Sequence, residues 1–183
     1  MKKNIAVVGC GHWGKNLVRN FAELGALVAV CDPNDELAKM YAKEYNVDNL
    51  SFDAIMSDAT IEGVVLAVPA SLHASMAIEV MNAGKHVYVE KPLAMNRIEA
   101  EAMIASATEN DVQLMVGHLL QYHPVFMAVR GLVESGELGS LSYVYSNRLS
   151  FGKVRSEEDV IWSFAPHDIS MILSLTGQEP ERV

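Results

Sequence analysis

The stretch NIAVVGCGHWGKNLVRNFAELG, residues 4–25, is the most informative part of this 183-residue sequence for the fold. It starts with a short apolar run, passes through the pattern G-x-G-x-x-G at residues 9–14, and then carries apolar side chains at every third or fourth position. A short apolar run that ends in glycine is typical of a strand buried on both faces. The later spacing is typical of an amphipathic helix. The stretch therefore predicts a strand, a tight glycine turn and a helix, in that order.

This alternation continues along much of the chain. Further strands are indicated by the apolar runs at residues 26–31, 63–68, 86–89 and 114–116. Residues 46–60 are less regular and favour a short strand followed by a short helix. Strands that alternate with helices through short links imply right-handed crossovers and a parallel sheet that is covered on both faces. We therefore predict an α/β fold, a doubly wound parallel sheet of the Rossmann type, for residues 1–118.

Residues 119–183 follow a different pattern. Helices are indicated at residues 124–136 and 161–175, and residues 141–149 alternate like a strand with one face toward solvent or ligand. One convincing strand is not enough to complete a second sheet domain. We expect these residues to be the incomplete start of an α+β domain, and the chain to be a fragment of a longer protein.

The composition excludes several classes of partner. The chain carries 14 Lys and Arg against 23 Asp and Glu, a formal net charge of −9, which repels phosphate backbones and argues against a nucleic-acid partner. No apolar run approaches the ~18–20 residues that a membrane span requires. The two cysteines, Cys10 and Cys31, cannot form a disulfide framework, and no metal-ligand spacing surrounds them. We expect a soluble cytoplasmic protein with no nucleic-acid, membrane or metal partner.

The glycine pattern predicts a dinucleotide site. Gly9 permits the tight turn, Gly11 lets a pyrophosphate approach the backbone, and Gly14 permits close packing of helix on strand. The helix that follows offers N–H groups and partial positive charge to the phosphates. Asp32 ends the second predicted strand, where a carboxylate would accept the ribose hydroxyls, and residues 33–36 contain no Lys or Arg to bind a 2′-phosphate. The predicted cofactor is therefore NAD rather than NADP; a purely structural glycine turn is the alternative.

Two further side chains are candidates for catalysis. Lys91 follows the predicted strand at residues 86–89, at the edge of the sheet where ligands bind in open α/β folds. A cationic nicotinamide nearby would lower its proton affinity and suit it to polarise a hydroxyl. The other candidate is His167, because histidine is the residue type best matched to proton transfer near neutral pH. Taken alone, a lysine such as Lys91 is more often a surface residue and a histidine such as His167 more often a structural one. The position of Lys91 beside a dinucleotide site favours catalysis, but sequence spacing does not bring His167 to it.

The glycine motif with Asp32, the Glu90-Lys91-Pro92 element and the His167-Asp168 pair together resemble the glucose–fructose oxidoreductase, inositol dehydrogenase and MocA (Gfo/Idh/MocA) family. The similarity spans the whole chain. The segment at residues 162–168 and the Asn147-Arg148 pair are most similar to its sugar-nucleotide branch, which includes the UDP-N-acetylglucosamine and UDP-N-acetylglucosaminuronate 3-dehydrogenases.

The resemblance implies an NAD-dependent oxidoreductase that moves a hydride from a hydroxyl-bearing carbon of a sugar or sugar nucleotide to the nicotinamide. Lys91 would hydrogen-bond the reacting hydroxyl and His167 would take its proton. The substrate side would include Asn147, Arg148 and Asp168. Cofactor contacts would come from Gly9, Gly11, His12, Trp13, Gly14, Asp32, Ala67, Pro69, His73, Glu90 and Lys91. Many members carry Asp where this chain has Ser163, so any orienting carboxylate for His167 must come from Asp168 or from elsewhere.

Other interpretations remain open at this stage. The chain could be an NAD-binding module without turnover, either truncated or acting as a sensor, or a Rossmann reductase for another class of substrate. The resemblance implies that residues 119–183 begin a C-terminal domain for substrate binding and oligomerisation, since family members are longer and their further residues close the substrate site and often form the oligomer interface. We therefore expect the fragment to bind NAD without useful turnover, and the full-length protein to be a homo-oligomer.

Overall fold

The structure, a computed structural model, describes residues 4–149 and 160–182. The chain divides into two compact units, Met1–Gly117 and His118–Val183.

The first unit alternates strands and helices along the chain. Its elements are β1 (Ile5–Val8), α1 (Gly14–Glu23), β2 (Leu27–Cys31), α2 (Asp35–Tyr45), β3 (Asp48–Asn49), α3 (Phe52–Ser57), β4 (Gly63–Leu66), α4 (His73–Asn82), β5 (His86–Val89), α5 (Arg97–Glu109) and β6 (Leu114–Val116). A 3₁₀ turn, Ala70–Leu72, leads into α4. The short strand and helix expected within residues 46–60 are confirmed as β3 and α3.

All six strands are parallel and lie in the order β3-β2-β1-β4-β5-β6. The strand order reverses between β1 and β4, which is the switch point at which doubly wound sheets bind their ligands. The predicted doubly wound Rossmann sheet is therefore confirmed.

Both faces of the sheet are buried, as the continuous apolar strands predict. Alternate residues of β1 point to opposite faces: Val7 packs with Leu17 and Val18 of α1, whereas Ala6 and Val8 belong to a second core. That second core includes buried residues of α3, α4 and α5, namely Ile55, Ala74, Ala77, Val80, Met81, Met103 and Ala107. The helices thus cover both faces of the sheet, and the loops at its carboxyl edge start from the ends of packed strands.

The second unit contains a 3₁₀ turn (Leu119–Tyr122), α6 (Pro124–Glu134) and α7 (Val160–Thr176). Both helices were predicted, but the strand predicted over residues 141–149 is wrong, since this segment forms neither strand nor helix. A strand needs a neighbouring strand to pair its backbone groups, and the described residues of this unit contain none. Its side chains are largely exposed, Leu149 by 86%.

Neither a membrane-crossing helix nor a metal-binding cluster is found in residues 4–149 and 160–182. None of the helices there is long and apolar enough to span a bilayer. No three His, Cys, Asp or Glu side chains in those ranges are grouped so as to hold a metal ion.

Candidate functional site

One row of backbone hydrogen bonds connects the carboxyl ends of five neighbouring strands. The N–H groups of Gly9, Ala67, Glu90 and Gly117 donate to the carbonyl oxygens of Cys31, Val8, Leu66 and Val89, at N···O distances of 2.8, 2.8, 3.0 and 2.8 Å. Each donor is the first residue after its own strand, and each acceptor is the last residue of the neighbouring strand. The loops that carry the predicted cofactor residues of the first unit therefore start at the same level of the sheet.

The glycine turn has the local geometry that its motif predicts. Gly9 has a positive φ of 90°, and a Cβ atom there would lie 2.5 Å from the carbonyl oxygen of Ala67. A Cβ atom at Gly14 would overlap the carbonyl oxygen of Gly9. Gly11 is different, because a Cβ atom there would meet nothing within 4 Å. The first and third glycines are thus required by the fold, while the second faces open space that a pyrophosphate can enter.

The start of α1 is suited to an anion. Its N-cap residue, Trp13, makes no side-chain cap hydrogen bond, and the first turn carries no acidic side chain. The N–H groups and partial positive charge of this helix end are not countered by a carboxylate of the first turn. His12 and Trp13 are exposed beside it. The residues present therefore fit the phosphates of a dinucleotide.

Asp32 connects the end of β2 to the glycine turn. Its Oδ2 atom accepts a hydrogen bond from the N–H of Cys10 at 2.6 Å, and its Oδ1 atom accepts one from the N–H of Asn34 at 2.8 Å. The carboxylate is therefore held in one orientation at the place where ribose hydroxyls were expected. The sequence spacing had indicated the position of Asp32 but not its bond to the glycine turn.

Both cysteines lie beside Asp32 and favour their thiol forms. Burial, and then the negative charge of Asp32, raises the pKa of Cys10 to about 12 and raises that of Cys31. The Cys10 thiol also contacts the carbonyl oxygen of Cys31 at 3.8 Å. A reactive thiolate is not expected at this position, because nucleophilic cysteines need a lowered pKa.

His73 is turned into the protein. It is 1% exposed, and its Nδ1 and Nε2 atoms lie 2.7 Å from the carbonyl oxygen of Pro92 and 2.9 Å from that of Val68. Direct contact between this ring and the cofactor was expected from the family resemblance. The structure shows the ring joining two loops of the carboxyl edge, and its burial leaves little of its surface for such a contact.

Glu90 is also buried, and its carboxylate is engaged on both oxygens. The hydroxyl of Tyr88 donates to Oε1 at 3.0 Å, and the N–H of Lys91 donates to Oε2 at 3.3 Å. A Cβ atom on Gly117 would lie 2.6 Å from the Tyr88 hydroxyl and 2.9 Å from Oε1. Tyr88 and Gly117 were missed by the sequence analysis. The period of two along β5, which places Tyr88 on the same face as Glu90, could have indicated the tyrosine.

Lys91 follows Glu90 at the same edge and is partly exposed. The peptide bond that joins it to Pro92 is cis. Ala67 is partly exposed and Pro69 is exposed in the loop after β4. The first unit thus brings the glycine turn, Asp32, the β4 loop and Lys91 to one edge of one sheet.

The second unit contains a separate polar cluster around Asp168 of α7. The Asp168 carboxylate accepts a hydrogen bond from the Ser146 hydroxyl at 2.7 Å, and its other oxygen lies 2.7 Å from Nε of Arg148. The guanidinium of Arg148 also lies 5.9 Å from the ring centre of Phe164, which is cation–π range. Arg148 and Asp168, both expected on the substrate side, therefore form an ion pair with each other. Ser146, which completes the cluster, was not predicted.

His167 precedes Asp168 in α7 and is 7% exposed. Its ring meets that of His118 edge to face, with 6.2 Å between the ring centres. Pro166 lies within α7 immediately before it. Asn147 is exposed. His167 belongs to the second unit, whereas Lys91 belongs to the first.

The chain is similar in both sequence and structure to a family of known proteins. The sequence model described as an oxidoreductase family with an NAD-binding Rossmann fold, GFO_IDH_MocA, matches residues 3–118. UDP-N-acetylglucosamine 3-dehydrogenase of Acidithiobacillus ferrooxidans is 35% identical over 176 residues, covering 95% of this chain and 54% of that protein. Its solved structure is similar with a TM-score of 0.88 at 34% identity, covering 100% of this chain and 59% of the other.

Two inositol dehydrogenases are also similar. Inositol 2-dehydrogenase of Rhizobium meliloti is 28% identical over 191 residues, covering 100% of this chain and 58% of that protein. The structure of scyllo-inositol dehydrogenase from Lactobacillus casei, solved with NAD(H) and scyllo-inositol, has a TM-score of 0.83 at 22% identity, covering 98% of this chain and 57% of the other. That likeness shows the fold. The chain spans about half the length of the curated relatives it matches.

Proposed function

Since the chain belongs to the Gfo/Idh/MocA family of oxidoreductases and has its NAD-binding Rossmann fold, we propose that it forms part of an NAD-dependent dehydrogenase for a sugar or sugar nucleotide. The reaction is transfer of a hydride between a hydroxyl-bearing carbon of that substrate and the nicotinamide. The similarity to UDP-N-acetylglucosamine 3-dehydrogenase favours a sugar nucleotide.

The observation that carries this proposal is the arrangement of Asp32, the glycine turn and Lys91 along one sheet edge. Asp32 follows β2 and Lys91 follows β5, and these strands are three positions apart in the sheet. At about 4.8 Å per strand, the two ends are roughly 14 Å apart. A dinucleotide with its ribose at Asp32 and its phosphates at α1 would extend along this edge toward Lys91.

When bound, NAD supplies the acceptor for the hydride. The residues of the chain orient the substrate and accept its proton. Lys91 donates a hydrogen bond to the reacting hydroxyl and favours its ionised form, and His167 accepts the proton. Assistance of this kind contributes ~10²–10⁴-fold to the rate.

The cluster around Asp168 is our candidate for the substrate side. Asp168 holds one edge of the Arg148 guanidinium and Phe164 lies against the group. A guanidinium has five N–H donors in a planar fork, so donors other than Nε can bind a carboxylate or phosphate. Asn147 precedes Arg148 in the same exposed segment and offers an amide to sugar hydroxyls.

Isothermal titration with NADH and NADPH tests the cofactor part of the proposal. We expect the chain to prefer NADH by at least ~10-fold in Kd, about 1.4 kcal/mol, because a 2′-phosphate would meet the Asp32 carboxylate. The Asp32→Asn substitution removes the negative charge and keeps a side chain of similar size. The ratio of the Kd values for NADPH and NADH should therefore become smaller. Equal affinity of the unaltered chain for both nucleotides would remove the role assigned to Asp32.

The substrate part is tested with full-length protein that contains this chain. Reduction of NAD is followed with UDP-N-acetylglucosamine, its uronate and free inositol as alternative substrates. Turnover with a sugar nucleotide supports the proposal. Binding of NADH without turnover on any of the three would favour the sensor or binding-module interpretation.

A further inference from the structure

Both nitrogens of the buried His73 ring face hydrogen-bond acceptors, and only the doubly protonated ring can donate to both. Both of its ring nitrogens lie within hydrogen-bond distance of backbone carbonyl oxygens, those of Pro92 at 2.7 Å and Val68 at 2.9 Å. A carbonyl oxygen only accepts hydrogen bonds, and a neutral imidazole has one donor and one acceptor nitrogen. In either neutral tautomer, one nitrogen lone pair would therefore face a carbonyl lone pair in a site that is 1% exposed.

We propose that His73 is a positioning residue whose ring carries a proton on each nitrogen and donates two hydrogen bonds, one to each of two loops. Val68 lies in the loop after β4, and Pro92 lies in the loop after β5. Pro92 directly follows Lys91 in the chain. The ring thus connects the segment that carries the proposed catalytic lysine to its neighbour at the same edge.

The charges around the ring act in opposite directions, and burial adds a cost to the charged form that the two hydrogen bonds must offset. The two carbonyl oxygens bring partial negative charge close to both ring nitrogens. The start of α4, where His73 lies, brings partial positive charge close to the same ring. Residues 67–72 of the β4 loop have no ionisable side chain. In the β5 loop the ionisable groups are Glu90 and Lys91, of opposite sign. The direct bonds to the two carbonyls are the contacts that distinguish the protonation states.

This inference rests on the proposed function for its catalytic consequence, but its structural part can be tested separately. Nitrogen-15 spectra of the histidine rings in the 183-residue chain, recorded at neutral pH without substrate, report the state of each ring nitrogen. We expect both His73 nitrogens to give the signature of a protonated nitrogen, with ring N–H protons protected from exchange. A lone-pair signature on either nitrogen would overturn the proposal.

His86 provides a control in the same spectrum. It lies at the opposite end of β5, and its Nδ1 accepts a hydrogen bond from the N–H of Gln113 at 3.1 Å. That nitrogen must carry a lone pair, so His86 should show the signature that His73 lacks. The result depends on neither turnover nor cofactor, so its failure is distinguishable from failure of the proposed dehydrogenase activity.

The positioning role is tested by kinetics of the full-length protein. His73→Asn cannot bridge both loops, and small displacements of a catalytic group have large effects, so we expect kcat to fall by ~10–100-fold with a smaller change in KM. His86→Asn is the matched control and should leave kcat unchanged. An unchanged kcat in folded His73→Asn protein would overturn the positioning role. If that variant does not fold, the spectra of the unaltered chain still test the protonation state.

Discussion

The two lysines that flank β5 lie at opposite edges of the same sheet and have different surroundings. Lys85, at the amino edge, is 4% exposed, and its ammonium group donates hydrogen bonds to the carbonyl oxygens of Asp58 and Ile61 at 2.7 and 2.8 Å. Burial lowers the pKa of Lys85, and the charge of Asp58 partly opposes that shift. Lys91, at the carboxyl edge, is partly exposed in the loop that follows β5.

From this contrast we infer that the position of each lysine at one edge of the sheet, rather than the residue type, determines its role. At the amino edge the connection from α3 to β4 leaves carbonyl groups that need a donor, and Lys85 supplies it from inside the fold. At the carboxyl edge the strand ends are followed by helix starts, and ligands of open α/β sheets bind there. We therefore assign Lys85 to stability and Lys91 to function.

The largest expected effect is that of Lys91→Met on turnover. The substitution keeps the aliphatic stem and removes the ammonium group that would polarise the substrate hydroxyl. We expect kcat of the full-length protein to fall by ~10²–10⁴-fold. The free energy of unfolding should change less than it does on the same substitution at Lys85, because Lys91 is partly exposed whereas Lys85 is buried.

Steady-state reduction of NAD and urea denaturation measure these two quantities on the same preparation. Turnover close to that of the unaltered protein would remove Lys91 from the mechanism. A large loss of stability would show that the two lysines do not differ in the way proposed.

The same substitution at the other edge, Lys85→Met, should have the opposite outcome. It leaves the carbonyl oxygens of Asp58 and Ile61 without the ammonium donor in a buried place, which costs about 1–3 kcal/mol in the free energy of unfolding. Affinity for NADH should be unchanged, because Lys85 lies away from the cofactor edge. Urea denaturation and isothermal titration of the 183-residue chain check both expectations.

The pH dependence of stability provides a control for this variant. Because the pKa of Lys85 is lowered in the folded state, the unfolded chain binds more protons between that lowered value and the ordinary 10.5. Lys85 therefore makes the free energy of unfolding rise with pH across this window, and Lys85→Met removes the rise. The cysteines, which titrate with the opposite sign, are present in both proteins and cancel in the difference. If the free energies of unfolding of the unaltered chain and of Lys85→Met changed with pH in parallel, the stabilising role assigned to Lys85 would be contradicted.

A smaller effect is expected from Gly117→Ala, which tests packing within the carboxyl edge. The added methyl group would lie 2.6 Å from the Tyr88 hydroxyl and 2.9 Å from Glu90 Oε1, so the pair must shift. Overpacking of this kind costs about 1 kcal/mol or slightly more. Thermal or urea denaturation measures the loss.

Tyr88→Phe separates the two contacts of the added methyl group. It removes the hydroxyl and should recover part of the stability lost in Gly117→Ala, so the two substitutions should be non-additive in a double-mutant cycle. Strict additivity would show that the predicted contact with the hydroxyl does not form.

The sheet and the glycine turn could be predicted because their signals are local. Apolar runs, glycines and helical spacing between residues 4 and 25 specify a strand, a turn and a helix through backbone geometry that depends on near neighbours. Asp32 could be located because its distance from Gly9 follows from the length of one strand–helix–strand unit. The alternation at residues 141–149 was misleading, since a strand also requires a partner that the pattern does not report.

The bonds that shape the candidate site are mostly long-range and could not be predicted. His73 reaches Pro92 across 19 positions, and Ser146 reaches Asp168 across 22. No spacing rule identifies which carbonyl or hydroxyl will face a given side chain after folding. Arg148 was expected to bind the substrate, and its partner Asp168 became evident from the structure.

Residue pattern was therefore sufficient to predict the alternating architecture and the dinucleotide turn, because near-neighbour sterics control these features. One carboxylate, Asp32, was the basis for predicting NAD as the cofactor. Tertiary packing was needed to distinguish Lys85 from Lys91, to turn His73 and Glu90 inward, and to pair Arg148 with Asp168. Burial and the partners available to polar groups depend on the whole packed chain, so the same residue type acquires different chemistry at the two edges of one sheet.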